Sequence, residues 1–284
     1  MRITVIAPSE RLAPFVRRFT VIETEADATR ALLPEQGLML GIRFIGSATL
    51  LGSAEDPAAG VAARGSSPGI EASIAAGRAI RMPDATLTGI VGAARRMRTS
   101  AGSAVFAAFR ETGAARFFAA PLHELFGRTL ALDEVVPRAD VARVQECMAG
   151  AADHPRRIAL LEEFLLSRLL PGGADRVADA AVAAIRRAHG SLRISQLARE
   201  LGISQDPLEK RFRRTVGTSP KQLASLVRLR RVIDAQRAGA SWSRLAIEAG
   251  YFDQSHFNRE FRAVTGEAPR QFFRRDTFCS LPLG

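Results

Sequence analysis

Two stretches decide how this chain folds: Ser195–Leu223, SQLARELGISQDPLEKRFRRTVGTSPKQL, and Ser243–Phe272, SRLAIEAGYFDQSHFNREFRAVTGEAPRQF. Laid over each other, they are one pattern written twice. Leu197–Ala198 matches Leu245–Ala246 and Gly202 matches Gly250, all 48 residues apart. After one extra residue in the second turn the offset becomes 49, pairing Phe212 with Phe261, Gly217 with Gly266 and Pro220 with Pro269. Each unit reads as helix, tight turn, helix. Ser195 or Ser243 can cap the first helix by accepting from an orphaned backbone N–H. Leu197, Ala198 and Leu201 face inward, and the small alanine lets the second helix approach. Gly202 and Gly250 fall where a chain leaving a helix often needs positive φ. Ser204 caps the second helix of the first unit, and Pro207 lies in its first turn, where a missing N–H costs little. Leu208 and Phe212 bury one face of that helix, as Phe257 and Phe261 do in the second unit.

The outward faces of these second helices are polar and largely basic. The first offers Gln205, Asp206, Glu209, Lys210, Arg213 and Arg214; the second offers Gln254, Ser255, His256, Asn258, Arg259 and Arg262. Near a helix N-terminus such side chains can read base edges in a major groove, and Lys and Arg further along suit phosphates. A single amphipathic helix with a charged face is ordinarily solvated surface; two in one repeat, within a basic region, point to DNA. Pro220–Arg237 separates the units. As a helix its 18 residues span about 27 Å, a strut able to hold two reading helices roughly one DNA turn, about 34 Å, apart.

Charge supports the same reading. The chain of 284 residues carries a net charge of +11, but residues 1–175 hold 20 Lys+Arg against 19 Asp+Glu, and residues 176–284 hold 20 against 10. A basic half beside a near-neutral one is the asymmetry of a protein with one polyanion-binding part. Hydrophobic residues at 47% and charged residues at 24% make a globular composition, and the length allows two domains. The expected division is 1–172 and 176–276, with Pro171–Gly173 as hinge.

These C-terminal motifs resemble the AraC/XylS family of bacterial transcription regulators. The resemblance lies in LARELGIS and LEKRFRRTVGTSPKQL, in the linker VRLRRVIDAQRAG, and in LAIEAGYFDQSHFNREFRAVTGEAPRQF, and spans about residues 176–274. It implies seven helices in two subdomains joined by the linker helix, acting on double-stranded promoter DNA, with RNA polymerase as a further partner. It places the base-reading positions on Asp206, Glu209 and Lys210, and on Gln254, Ser255, His256 and Arg259. Asp206 and Glu209 depart from the family's usual neutral or basic readers. An acid there repels phosphate unless it accepts from a cytosine amine, so the second unit is expected to be the stronger reader.

The N-terminal region reads as short strands, at Arg2–Ala7, Phe19–Thr24, Leu38–Phe44, Thr49–Leu51, Ala79–Met82, Thr86–Val91 and Ser103–Phe109. Their spacing argues against βαβ units and for a β-sandwich or barrel. Helices are expected at Pro121–Phe126, Arg138–Ala149 and His154–Leu170, and everything after Asp175 reads as helix. The fold class is therefore α+β with two domains: a β-rich part followed by helices, then an all-α part with two helix-turn-helix motifs. LPEQGLMLGIRF, AVFAAFRETGAARFFAAPLHELFGRTLALDEV and RRIALLEEFLLSRLL also resemble the sensor-like domain of some AraC-type regulators, implying effector binding, dimerisation or both. Ile158, Leu161, Leu165 and Leu169 form an apolar face open to two roles, intrachain core or homodimer seam.

No cofactor or metal site is expected. Cys147 and Cys279 sit in no metal-binding spacing, and His123, His154, His189 and His256 are scattered. That weighs against a zinc finger and against an alkylation-repair enzyme that docks through the same motifs. No phosphate-cradling loop or nucleophile elbow is present. The N-terminus lacks a signal-peptide core, and no stretch nears the roughly 20 apolar residues of a membrane span. The expected protein is a soluble, cytoplasmic, nucleoid-associated regulator, an activator or a repressor, with a nonspecific architectural DNA binder as alternative.

Overall fold

The strand Gly102–Phe109 is nearly all buried: Val105, Ala107 and Phe109 lie in one core with Val141, Met148, Ile158 and Leu161, while Ala104 and Phe106 line a cavity with Leu50 and Met97. The computed structural model describes residues 1–51, 79–237, 250–251, 253–274 and 278–279. The strands are β1 Arg2–Ile6, β2 Val16–Thr24, β3 Ala28–Leu32, β4 Met39–Ile45, β5 Ala48–Leu51, β6 Ile80–Arg81, β7 Ala85–Thr88, β8 Arg95–Thr99, β9 Gly102–Phe109, β10 Thr129–Ala131 and β11 Phe278–Cys279. The first sheet runs β1-β2-β9-β4-β7-β10, antiparallel throughout; the second runs β11-β3-β8-β5-β6, antiparallel except for β11 beside β3. Ala48, Leu50 and Met82 are buried on the second sheet, with Met97 packed against them.

The helices are α1 Arg138–Ala149, α2 His154–Ser167, α3 Arg176–Arg187, α4 Ile194–Glu200, α5 Gln205–Val216, α6 Pro220–Arg237, α7 Gln254–Thr265 and α8 Pro269–Phe272. Asp153 starts α2 by accepting from the Arg156 N–H at 2.8 Å, and Asp175 starts α3 by accepting from the N–H groups of Val177 and Ala178. Ile158, Leu161 and Leu165 of α2 are buried in the same core as Leu40, Val105, Val141 and Met148. Ile158, Leu161 and Leu165 of the apolar face of α2 are thus intrachain core, with Leu169 partly buried beside them.

Four strands depart from the sequence reading. β8, RRMRT, is missed because its alternate residues Arg96 and Arg98 face solvent and only Met97 marks the inner face. β3 and β10 are too short and half-buried to show a period. β11 corrects the expectation of helix throughout after Asp175: the chain end pairs with β3, Phe278 beside Ala31 and Cys279 beside Leu32. The expected helix at Pro121–Phe126 is a single 3-10 turn, Leu122–Leu125.

The core does not stop at Asp175. Ala181, Ile185, Leu208, Phe212 and Leu223 of the helical part belong to the same buried cluster as the β-rich part. Arg186 of α3 donates to Glu111, which also accepts from Arg17 of β2 at 2.8 Å. The Ala94 N–H donates to the Val264 carbonyl at the end of α7, 2.6 Å away.

Candidate nucleic-acid interface

Both second helices form where the repeat puts them, and both end alike. Gly217 after α5 has φ of +91° and donates its N–H to the Arg213 carbonyl; Gly266 after α7 has φ of +79° and donates to Arg262. These left-handed positions are what the shared glycines supply. Gly202 and Gly250 are also left-handed, at φ of +68° and +74°. Leu208, Phe212 and Val216 bury one face of α5; Phe257, Phe261 and Val264 bury one face of α7. Phe261 meets Phe257 and Phe272 edge to face, at 5.5 and 5.2 Å.

The starts differ. Asp253 caps α7, its carboxylate accepting from the His256 N–H at 2.6 Å. Ser204 occupies the cap position of α5, but its hydroxyl makes no capping bond. Ser195 lies inside α4, whose cap position is Arg193, so it caps nothing. Ser243 and the Leu245–Ala246 pair lie outside the described residues.

Of the twelve sequence-selected residues, Gln205, Asp206, Lys210, Arg213 and Arg214 on α5 are exposed, and Glu209 is half-buried. Gln254, Ser255, His256, Asn258, Arg259 and Arg262 on α7 are all exposed. Each set gathers on the solvent side of its helix. Glu209 is spoken for: it accepts from Gln205 at 3.0 Å and pairs with Arg213 at 3.8 Å. The pair is solvent-screened and offsets only part of the Glu209 charge. Asp206 lies in the first turn of α5, where the helix dipole favours an acid.

The residues that fix α7 were not visible as a pattern. Glu260, on the inner flank of α7, accepts from Ser225 and Arg228 of the linker helix α6. Tyr251 packs edge to face on Phe257 at 5.1 Å, with Arg228 near its ring. Burial pushes the Tyr251 hydroxyl up to about 12, Glu260 adds to the shift, and Arg228 opposes it.

A cavity of about 110 Å³ opens in the β-rich part. Leu32, Ile42, Met82, Met97 and Phe106 make its lining mainly apolar, and Arg43 and Asp84 supply charge. The Arg43 Nε is buried without a hydrogen-bond partner, and burial pulls this guanidinium below its ordinary range against the pull of Asp84. Cys147 is a free, exposed thiol. Among the described residues no three His, Cys, Asp or Glu side chains gather as metal ligands, and no helix is long and apolar enough to cross a membrane.

Residues 197–275, which hold both of these helices, match the family described as "Helix-turn-helix domain". They are an AraC-type helix-turn-helix domain. The AraC-type domain supports a DNA-binding transcription regulator. The chain is similar to ToxT from Vibrio cholerae at 12% identity and a TM-score of 0.46, over 90% of this chain and 97% of that one. It is similar to the C-terminal domain of AraT, a response regulator from Geobacillus stearothermophilus, at 19% identity and a TM-score of 0.34, over 38% and 92%. A DNA-binding transcriptional dual regulator from Escherichia coli K-12 matches at 26% identity and a TM-score of 0.31, over 35% and 97%. No curated protein matches the chain.

Proposed function

We propose that the chain binds promoter DNA sequence-specifically, with α5 and α7 entering successive major grooves on one face of the duplex. One observation carries this: two like helices, capped by like glycines, each bury an aromatic face and turn a polar, basic face outward. Base-edge readers lie near the helix starts, as Gln254, Ser255 and Arg259 do on α7 and Asp206 and Lys210 on α5. Arg214 and Arg262, further along, suit phosphate. Bound there, the protein acts on transcription, with RNA polymerase as the partner the promoter supplies.

The division of labour falls near Pro171–Asp175, with the β-rich part as sensor. Its cavity suits a small, mostly apolar effector with one polar group for Arg43. Selection of bound duplexes from a random library by the full-length protein tests the DNA reading. The expected result is one enriched motif with two half-sites and a footprint of about 20 base pairs, two successive turns of the duplex. Binding that follows salt concentration but enriches no sequence would make this an architectural protein instead.

A further inference from the structure

Among the described residues, the linker helix, the α3–α4 turn and the second helix-turn-helix unit meet at a small junction, and its geometry points to Arg228 as the residue that sets the spacing between the reading helices. The inference rests on the proposal that both helices read DNA together.

Arg228 lies midway along α6, the only described element that runs between the units, and its side chain is 21% exposed. One Nη donates to the Gly190 carbonyl, in the turn after α3, at 2.7 Å. The other donates to both Glu260 carboxylate oxygens, at 3.1 and 3.3 Å. The guanidinium carbon lies 5.5 Å from the centre of the Tyr251 ring, in the turn before α7. One planar group on the linker helix thus engages the α3–α4 turn just ahead of the first unit, the turn of the second unit, and the reading helix of the second. Ser225, one turn earlier on α6, also donates to Glu260.

The turns are in close contact at the same spot. Gly190, at φ of +76°, has no room for a side chain: a Cβ there would lie 2.1 Å from the Ala224 carbonyl oxygen and 2.9 Å from the Arg228 Cγ. A Cβ on Gly250 would lie 3.3 Å from that of Ser191. Apolar packing resists separation, but it is non-directional and can meet a small sliding shift by repacking its side chains. A planar guanidinium with directed bonds to two carbonyl-type acceptors does not tolerate it. Arg228 is therefore a positioning residue: it touches no DNA and acts through the placement of α7.

Spacing selectivity tests this, because a merely structural role would not move it. The probe is a duplex selected from random sequence by the full-length protein, with variants carrying one or two base pairs inserted or deleted between the half-sites. In the wild type, affinity falls steeply away from the selected spacing. In Arg228→Met, the ratio between the selected spacing and its neighbours should fall about tenfold, a coupling of roughly 1.4 kcal/mol. Affinity for a duplex holding only the second half-site should stay unchanged. Arg228→Lys, which keeps the charge but loses the planar fork, should recover little of the ratio. If Arg228→Met does not fold, as judged by its thermal melt, the double variant Ser225→Ala with Glu260→Gln decides, with the same flattening expected. An equal loss at every spacing, or an unchanged profile, overturns the inference. Failure of the wild type to select any two-part site would overturn the functional reading instead.

Discussion

Arg186 of the helical part and Glu111 of the β-rich part form an ion pair across the boundary between them. Glu111 is 5% exposed and also holds Arg17, itself 7% exposed, so the carboxylate serves a buried cation on one side and a half-exposed one on the other. The two arginines are therefore not equivalent.

Glu111→Ala should cost about 3–5 kcal/mol, because it strands the buried Arg17 charge. Arg186→Ala should cost at most about 1 kcal/mol, since its own head is solvated. Thermal melts of the two variants should differ accordingly. Arg186→Ala should nevertheless speed proteolytic cutting at 171–175 if the pair holds the two parts together. Equal melts for the two variants would show that the pair is solvated and weak.

Arg259 and Arg262 lie one turn apart on α7, both exposed, with different tasks expected. Arg259→Ala should lower affinity for the selected duplex by about 1–3 kcal/mol while barely changing affinity for random duplex. Arg262→Ala should weaken both alike and reduce the salt slope by about 1. Titrations on both duplexes at several salt concentrations separate the two. Equal losses for Arg259→Ala on the two duplexes would make it a phosphate contact.

The repeat was legible because a helix-turn-helix unit is specified locally: the glycines at left-handed turns, Leu208 with Phe212, and Phe257 with Phe261 are all short-range patterns. The bounds of α6, Pro220–Arg237, follow from the same logic, with proline at the start of an unbroken helical run. The twelve outward residues follow from the inward ones. Contacts between distant segments leave no such periodic trace. Glu260 and Arg228 are 32 positions apart, Glu111 and Arg186 are 75 apart, and nothing in either neighbourhood names the partner. β8 was hidden for another reason. A strand with arginines on its outer face has the composition of a loop until its neighbours β3 and β5 supply the pairing.

Tyr251 gives a stability signal confined to alkaline pH. Its hydroxyl is raised from the ordinary 10 to about 12, so the folded state favours the neutral form. Between pH 10 and 12 the unfolded chain releases this proton while the folded chain keeps it. The stabilisation is complete below pH 10 and is lost as pH rises through 12. Its full size is roughly 2–3 kcal/mol. Tyr251→Phe keeps the ring on Phe257 and has no proton to lose. Chemical denaturation should therefore show the wild type losing stability faster than the variant across that window. Parallel curves would mean that the hydroxyl titrates in the folded protein as it does in water.

The two capping glycines separate backbone strain from crowding. Gly266 has φ of +79° and open space where a Cβ would go, so Gly266→Ala meets only the left-handed penalty, about 1–2 kcal/mol. Gly217 has φ of +91°, and a Cβ there would lie 3.0 Å from the Leu122 carbonyl oxygen and 3.3 Å from the Leu122 Cβ, both in the β-rich part. Gly217→Ala meets the same strain and must also push that part away from α5. It should melt lower than Gly266→Ala and raise hydrogen exchange in Leu122–Leu125 as well as at the end of α5. Gly266→Ala should leave exchange in Leu122–Leu125 untouched. If the two variants melt together and neither alters exchange in that turn, α5 and Leu122 do not press on each other in solution.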